Sequence, residues 1–300
     1  MPGRKPNDEA LSRHRRRRHV DQIGGRGRGR AHPLSRERLP IPPDFDAFQD
    51  ALAGLIARAQ AQFPALCGVG ISSCGGIDPA SGVVFAKLAP SLNYLIGRQY
   101  YEIRRRTRLP VALEKDGNCA ALGEIWCGAA QDLQNFLTLV LGSGLGGALC
   151  IGGKVFSGAH FLAGDIGYAY PGPAGGSYGQ QIAPVEVENR YFARTGERRT
   201  IPEMYDHRAQ DPAAAACVAE FFDGLANTIL TMQYVADPQA FLIGGGITAW
   251  PQLLVELQAS LARLVAERDG PILPQVRLCV HRNDANLLGA VYNCKETFGL

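Results

Sequence analysis

Two features of this chain have residue types and spacing suited to chemistry: a carboxylate, Asp116, in a Gly-Asn turn, and the glycine run Gly142-Ser143-Gly144-Leu145-Gly146-Gly147. A carboxylate held near a reacting hydroxyl takes its proton, and glycines let backbone N–H groups converge on an anion. Asp116 is equally good as a helix N-cap, and a glycine run in a chain with 36 Gly is often only a turn. The run fits GxGxxG, but the dinucleotide motif must open a helix within a βαβ unit. Here Ala148 to Ile151 leads through Gly152-Gly153 into another β-prone run, Lys154 to Phe156, so the loop belongs to a hairpin. A Walker loop is excluded as well, because Val155 follows Gly153-Lys154 where a magnesium-binding hydroxyl is needed.

The elements that must hold these residues are legible in the hydrophobic pattern. Pro110 to Leu113 reads as a buried strand delivering Asp116 to a corner before the Ala-rich, helix-forming Cys119 to Trp126, and Phe136 to Leu141 as a strand entering the glycine run. Phe45, Phe48, Leu52, Leu55, Ile56 and Phe63 recur at helical spacing. Gly68 to Ser73 then reads as a strand, and Gly75 to Val84 as a hairpin. Val218, Phe221, Phe222, Leu225, Ile229 and Met232 form one helical stripe, and Leu253, Leu254, Leu257, Leu261 and Leu264 another. Between the stripes, Ala240 to Ile243 is an apolar strand entering Gly244-Gly245-Gly246.

Four ordered stretches together resemble the sugar kinases of the ROK family (repressors, open reading frames and kinases): Glu114 to Glu124 (EKDGNCAALGE), Leu141 to Gly158, Gly164 to Tyr168 (GDIGY) and Ile243 to Ile247 (IGGGI). The resemblance spans roughly Leu39 to Tyr292. It implies an α/β, two-domain actin-like ATPase (ribonuclease H-like) fold. An N-terminal domain would cover 39–116, a C-terminal domain 117–286, and a last helix over 287–300 would return to the first. It also implies an enzyme using ATP and Mg2+ to phosphorylate a sugar hydroxyl, with Asp116 as general base. Gly142, Ser143, Gly144, Gly146 and Gly147 would hold the ATP phosphates, and Gly244, Gly245 and Gly246 would face the adenosine. Asn93, Lys115, Asp116, Asp165 and Tyr168 would meet the sugar, although a polar loop explains Asn93 equally well. A cytoplasmic enzyme follows, with a homodimer left open. A non-catalytic sugar-binding or regulatory relative is the alternative.

The chain departs from the family at several positions. Lys115 stands where the family has a sugar-binding Asn, and that cation either alters substrate preference or pairs with Asp116 and weakens it as a base. Asp165 replaces a Glu, and Tyr168 replaces a His that contacts sugar and commonly ligates zinc. Gly175 to Ile182 (GGSYGQQI) has no cysteine where closely spaced thiolates should precede a sugar-binding Glu, so no structural zinc is expected. Gln180 and Gln181 stand near that Glu without either being assigned to it.

Composition frames the rest. In 300 residues, 46% hydrophobic and 20% charged residues with a net charge of +3 describe an ordinary globular protein. Eight cysteines without a CxxC pattern read as free thiols of a reducing compartment. No signal-peptide core is evident, and no apolar run approaches the roughly 20 residues of a membrane helix.

Residues 1–38 differ from everything after them, with the Arg-rich run Arg13 to His19 and the Gly-Arg alternation Gly25 to Arg30. That composition predicts disorder. An arm binding nucleic acid is the weaker reading. The family's first phosphate loop, Asp-x-Gly-Gly-Thr on the opening strand, is missing. Synonymous codons can be chosen for Arg13 to Gln22 that, read one nucleotide downstream, encode Ala-Ile-Asp-Val-Gly-Gly-Thr-Ser-Ile-Lys. Residues 1 to about 34 are therefore read as an out-of-frame translation of that loop, which would leave the kinase impaired.

Overall fold

The computed structural model describes residues 20–22, 37–86, 90–172 and 175–300. Most of the Arg-rich segment, and with it most of the frame reading, lies outside the described residues. Its described parts are β1 (Val20–Gln22) and β2 (Glu37–Leu39), a short antiparallel pair that forms a sheet of its own.

The helix α1 (Phe45–Gln62) begins where the Asp44 carboxylate accepts the Ala47 N–H at 2.8 Å, and it buries Phe45, Phe48, Leu52, Leu55 and Ile56. This is the stripe read from the sequence, with Phe63 just beyond the helix end. Next come β3 (Val69–Ser73) and the small hairpin β4 (Ile77–Asp78) and β5 (Val83–Val84). A 3-10 turn (Pro90–Leu95) and the short α2 (Ile103–Thr107) lead to β6 (Val111–Lys115), which pairs in parallel with β3. All five β6 residues are buried, and α3 (Asp116–Cys127) starts directly at its end. The apolar residues of α1, β3 and β6 share one core.

A larger sheet follows, in the order β11-β10-β7-β8-β9. The strands β7 (Phe136–Leu141) and β8 (Leu145–Ile151) form the expected hairpin, and β9 (Lys154–Val155) extends it. After the 3-10 turn Ile166–Tyr168 come the helices α4 (Tyr178–Ile182), α5 (Pro184–Thr195), α6 (Ile201–His207) and α7 (Pro212–Ala236). Then β10 (Ala240–Gly244) pairs in parallel with β7, α8 (Gln252–Glu267) crosses over, and β11 (Val276–Leu278) pairs in parallel with β10. By length and composition alone α7 would suffice to cross a membrane, a test that a buried core helix also passes. Its Cys217, Phe221, Leu225 and Ile229 are core residues packed with α8 and the sheet.

The two sheets are built on one plan. In the first half the order is α1, β3, β6, α3; in the second it is α7, β10, β11, α9, where α9 is the terminal helix Ala285–Phe298. Each half has two parallel strands, with a helix before the first and after the second. The closing helices α3 and α9 pack on each other, and α9 also lies against β3 and β6. The halves differ at one edge: β10 continues into β7-β8-β9, whereas no described strand pairs with the other edge of β3. Accordingly β3 is only half-buried along its whole length, while β10 is buried throughout.

Glu124, wholly buried on α3, joins these elements. Its carboxylate accepts N–H groups from Ala129 at 2.7 Å and from Val280 and His281 at 3.1 Å each, tying the end of α3 to the loop that leads into α9. A neutral amide there turns one acceptor into a donor facing N–H groups. Glu124→Gln is therefore expected to cost on the order of 2 kcal/mol, read as a lower urea midpoint with an unchanged slope.

Candidate active site

The site begins at the corner between β6 and α3. Asp116 is the first residue of α3 and half-buried, and its Oδ1 accepts the adjacent Gly117 N–H at 2.8 Å. The cap position belongs to Lys115, so the N-cap reading of Asp116 is not what the structure shows. Glu114, at the end of the apolar strand, accepts the Lys115 backbone N–H and the Asn118 amide, both at 2.8 Å. Glu114 and Asn118 are buried and hold the corner rigid. The sequence reading missed both, although three polar residues ending a buried strand were a signal for them.

Three segments meet at this corner through glycines. A side chain on Gly117 would overlap the carbonyl oxygen of Gly147, and one on Gly147 would overlap the carbonyl oxygen of Gly164. The Asp116 turn, the glycine hairpin and the Asp165 turn are thus stacked backbone to backbone. The second glycine turn joins them, since a side chain on Gly245 (φ 97°) would meet the Leu141 carbonyl at the mouth of the hairpin.

The hairpin offers fewer free donors than the sequence suggested. Gly142 donates to the Gly144 carbonyl at 3.0 Å, while Gly146 and Gly147 lie within β8, opposite Val140 and Leu139. The backbone N–H groups of Ser143 and Gly144 have no protein partner among the described residues, and both residues are exposed at the tip. Side chains on Gly142 or Gly144 would meet nothing within 4 Å, so the tip faces open space. Free N–H groups on a tip open to solvent fit an anionic phosphate.

Two separate departures from the family prove to be one. Lys115, with its side chain only 3% exposed, places Nζ 3.1 Å from Asp165 Oδ1 and donates to the Ala163 carbonyl at 3.4 Å. Its ion-pair partner is Asp165, not Asp116 as one expectation had it. The buried cation and the carboxylate thus form one pair across the two turns. Burial pushes the Asp116 carboxyl above its ordinary value and the nearby Asp165 pushes it further, while Gly117 N–H and Lys115 pull it back. Asp165 is also raised, by burial first, with Lys115 opposing. Tyr168 carries the same field: burial, then Asp165, Asp116 and Cys74 raise its phenol.

Lys115, Asp116, Asp165 and Tyr168 are therefore gathered at one place. Asn93 is exposed on the Pro90–Leu95 turn, and its side chain makes no hydrogen bond among the described residues. The segment where thiolates were sought forms α4, capped by Ser177. Gln180 accepts the Ser177 N–H at 2.8 Å and Gln181 donates to the Gly175 carbonyl at 3.1 Å, so both glutamines are engaged by their own loop.

A sequence model of the ROK family matches residues 30–297, and the chain belongs to that family. It is 33% identical over 251 residues to the beta-glucoside kinase of Klebsiella pneumoniae, covering 79% of this chain and 81% of that protein. Among solved structures, the ROK hexokinase from Thermus thermophilus superposes with a TM-score of 0.74 at 25% identity, over 89% of this chain and 92% of that one. A ROK family protein from Streptococcus pneumoniae TIGR4, in complex with sucrose, shares the fold with a TM-score of 0.76 at 24% identity, over 90% and 92%.

Removing Lys115 leaves Asp165 without its cation, so Lys115→Met should lower stability at neutral pH by on the order of 3 kcal/mol. Lys115→Asn combined with Asp165→Glu should recover most of that loss. Additive losses in the urea midpoints of this cycle would show that the pair is not a unit. Because the folded pKa of Asp116 lies above its unfolded value, the folded state holds more protons, and stability falls as pH rises through that window. Asp116→Asn removes this fall, so its melting temperature relative to the parent should rise as pH rises above the ordinary carboxylate range, about pH 4.

Proposed function

We propose that this chain is a ROK-type sugar kinase, transferring the γ-phosphoryl group of ATP to a hydroxyl of a hexose or amino sugar in a cytoplasmic reaction. The observation that carries the reading is the backbone stacking of the Asp116 turn, the glycine hairpin and the Asp165 turn, which sets a carboxylate beside an anion cradle. Asp116 takes the proton of the acceptor hydroxyl as its oxygen bonds the γ-phosphorus and the bond to the β-phosphate bridging oxygen breaks, releasing ADP. The Ser143 and Gly144 N–H groups and the Ser143 hydroxyl face the phosphates, and Gly244 to Gly246 leave room for the adenosine. Lys115, Asp165 and Tyr168 orient the sugar. Mg2+, bound with ATP, would neutralise phosphate charge. The ionised form of Asp116 is the working one, so its upward pKa sets the acid limb of the rate above the ordinary carboxylate range. The proposed division into domains 39–116 and 117–286, with 287–300 returning to the first, is supported by the separate sheets and by the packing of α9 on β3 and β6. None of the eight cysteines forms a disulfide, and a reducing compartment favours that state.

The chain as given would be impaired. In the second half, the hairpin beside β10 carries the phosphate cradle; the corresponding position beside β3 has no described strand. A second phosphate loop, and the magnesium side of the site with it, belongs on that edge. The missing Asp-x-Gly-Gly-Thr and the permissive shifted frame over Arg13 to Gln22 support the same reading. Sequencing the gene tests it, and the shifted frame must encode Asp-x-Gly-Gly-Thr over Arg15 to His19. Restoring that frame should raise coupled ATPase activity with hexoses by at least about a hundredfold, of the size that phosphate and metal contacts contribute. In the restored protein, Asp116→Asn should abolish transfer. A restored, folded protein that binds sugar without transfer would favour the non-catalytic relative.

A further inference from the structure

The turn that follows Asp165 is held from two directions. It rests on the glycine hairpin, since a side chain on Gly167 would overlap the Leu145 carbonyl oxygen. It is also pressed by α4: a side chain on Gly179 would come within 2.9 Å of the Gly167 carbonyl oxygen, and Tyr178 N–H donates to the Ala169 carbonyl at 2.9 Å. The placement of α4 therefore sets the placement of the turn. Yet α4 has only five residues, too few to be stable by itself. Tyr178 and Ile182 anchor it in the core, but its last carbonyls still need donors. Gly179 is served by the Ala183 N–H at 3.0 Å. The next two carbonyls are both taken by one side chain, Arg190 on α5, which donates Nη1–H to Gln180 at 3.0 Å and Nη2–H to Gln181 at 2.7 Å. Its Nε lies 3.5 Å from Glu220 Oε2 on α7, so a carboxylate aims the fork from behind. Gln181 adds a smaller tie, its Nε2 donating to the carbonyls of Gly175 at 3.1 Å and Gly176 at 3.3 Å. A cavity of about 530 Å3, lined in part by Gln180, Gln181, Arg190 and Glu220, opens beside this strut. With open space there, no neighbouring side chain stands ready to replace the guanidinium.

We propose that Arg190 is a positioning residue for the site: by gripping the end of α4 it fixes the Asp165 turn, and with it the reach of Asp165 to Lys115 and to the acceptor sugar. What concerns the sugar rests on the sugar-kinase reading; what concerns Lys115 does not. A planar guanidinium presents two N–H groups at fixed spacing and so serves two successive carbonyls at once, whereas an ammonium is a point charge on a flexible stem. The effect passes from Arg190 to the α4 carbonyls, from Gly179 to Gly167, and so to Asp165. Backbone contacts carry every step after the first.

A double-mutant cycle in the full chain separates positioning from plain stabilisation. Once the turn is loosened, Asp165 reaches water when its cation is removed, so Lys115→Met should lower the urea midpoint clearly less in Arg190→Gln than in the parent. Hydrogen exchange at the amides of Tyr168, Ala169 and Tyr178 should be at least about tenfold faster in Arg190→Gln, with β7 and β10 unchanged. Arg190→Lys should fall between, and it carries the same cycle if Arg190→Gln does not fold. Arg194→Gln removes another partner of Glu220 without touching α4, and should change neither readout. By calorimetric titration, whichever of glucose, N-acetylglucosamine and cellobiose binds the parent should bind about tenfold or more weakly in Arg190→Gln, the size of a misplaced positioning group. Additive losses in the cycle, or unchanged exchange at these three amides, overturn the positioning role. Coupled losses with unchanged sugar affinity overturn its extension to the sugar. Coupled losses in a parent that binds none of the three sugars overturn the sugar-kinase reading alone.

Discussion

The site depends on contact between backbones that no side chain may enter. Gly117, Gly147 and Gly164 belong to three segments separated in sequence, and each is pressed on the next so closely that a methyl group would overlap a carbonyl oxygen. This stacking sets the Asp116 turn and the Asp165 turn against strand β8 of the glycine hairpin. Glycine is required there by close approach, since Gly117 and Gly147 need no unusual backbone angle. The strands behind them supply the rigidity: β6 is buried from end to end, and the β7–β8 pairing runs from Phe136 opposite Cys150 to Leu141 opposite Leu145.

Charge is arranged on that frame with little freedom. Lys115 and Asp165 take each other's charge out of water, which is tolerable only because the ammonium also reaches the Ala163 carbonyl. Asp116, next in the chain, is left without a cation of its own and feels the second carboxylate, so its proton is held more tightly than in water. A base with a raised pKa accepts a proton more readily from an alcohol, at the cost of losing its ionised form sooner as the solution is acidified.

The two halves of the fold make the asymmetry of the chain intelligible. The packing of α3 on α9 reproduces one arrangement of strand and helix twice, with Glu124 bonding the end of α3 to the loop that precedes α9. Where the second half adds three strands, two of them the glycine hairpin, no described strand pairs with the other edge of β3.

Local physics was enough for much of this to be read from the sequence. The strand Phe136 to Leu141, the α1 stripe, the hairpin placement of the glycine run and the family itself follow from periodicity, turn chemistry and motif order, which are properties of neighbouring residues. What pairs with Lys115 was not legible, because its partner lies 50 positions away and meets it only after the hairpin has been laid between Gly117 and Gly164. The same reason hid the use of the glycine amides: which N–H groups of Gly142 to Gly147 remain free is decided by strand register, and register places Gly146 and Gly147 inside β8. Residue types determined what chemistry was available; the tertiary approach of three glycines decided which groups were close enough to use it.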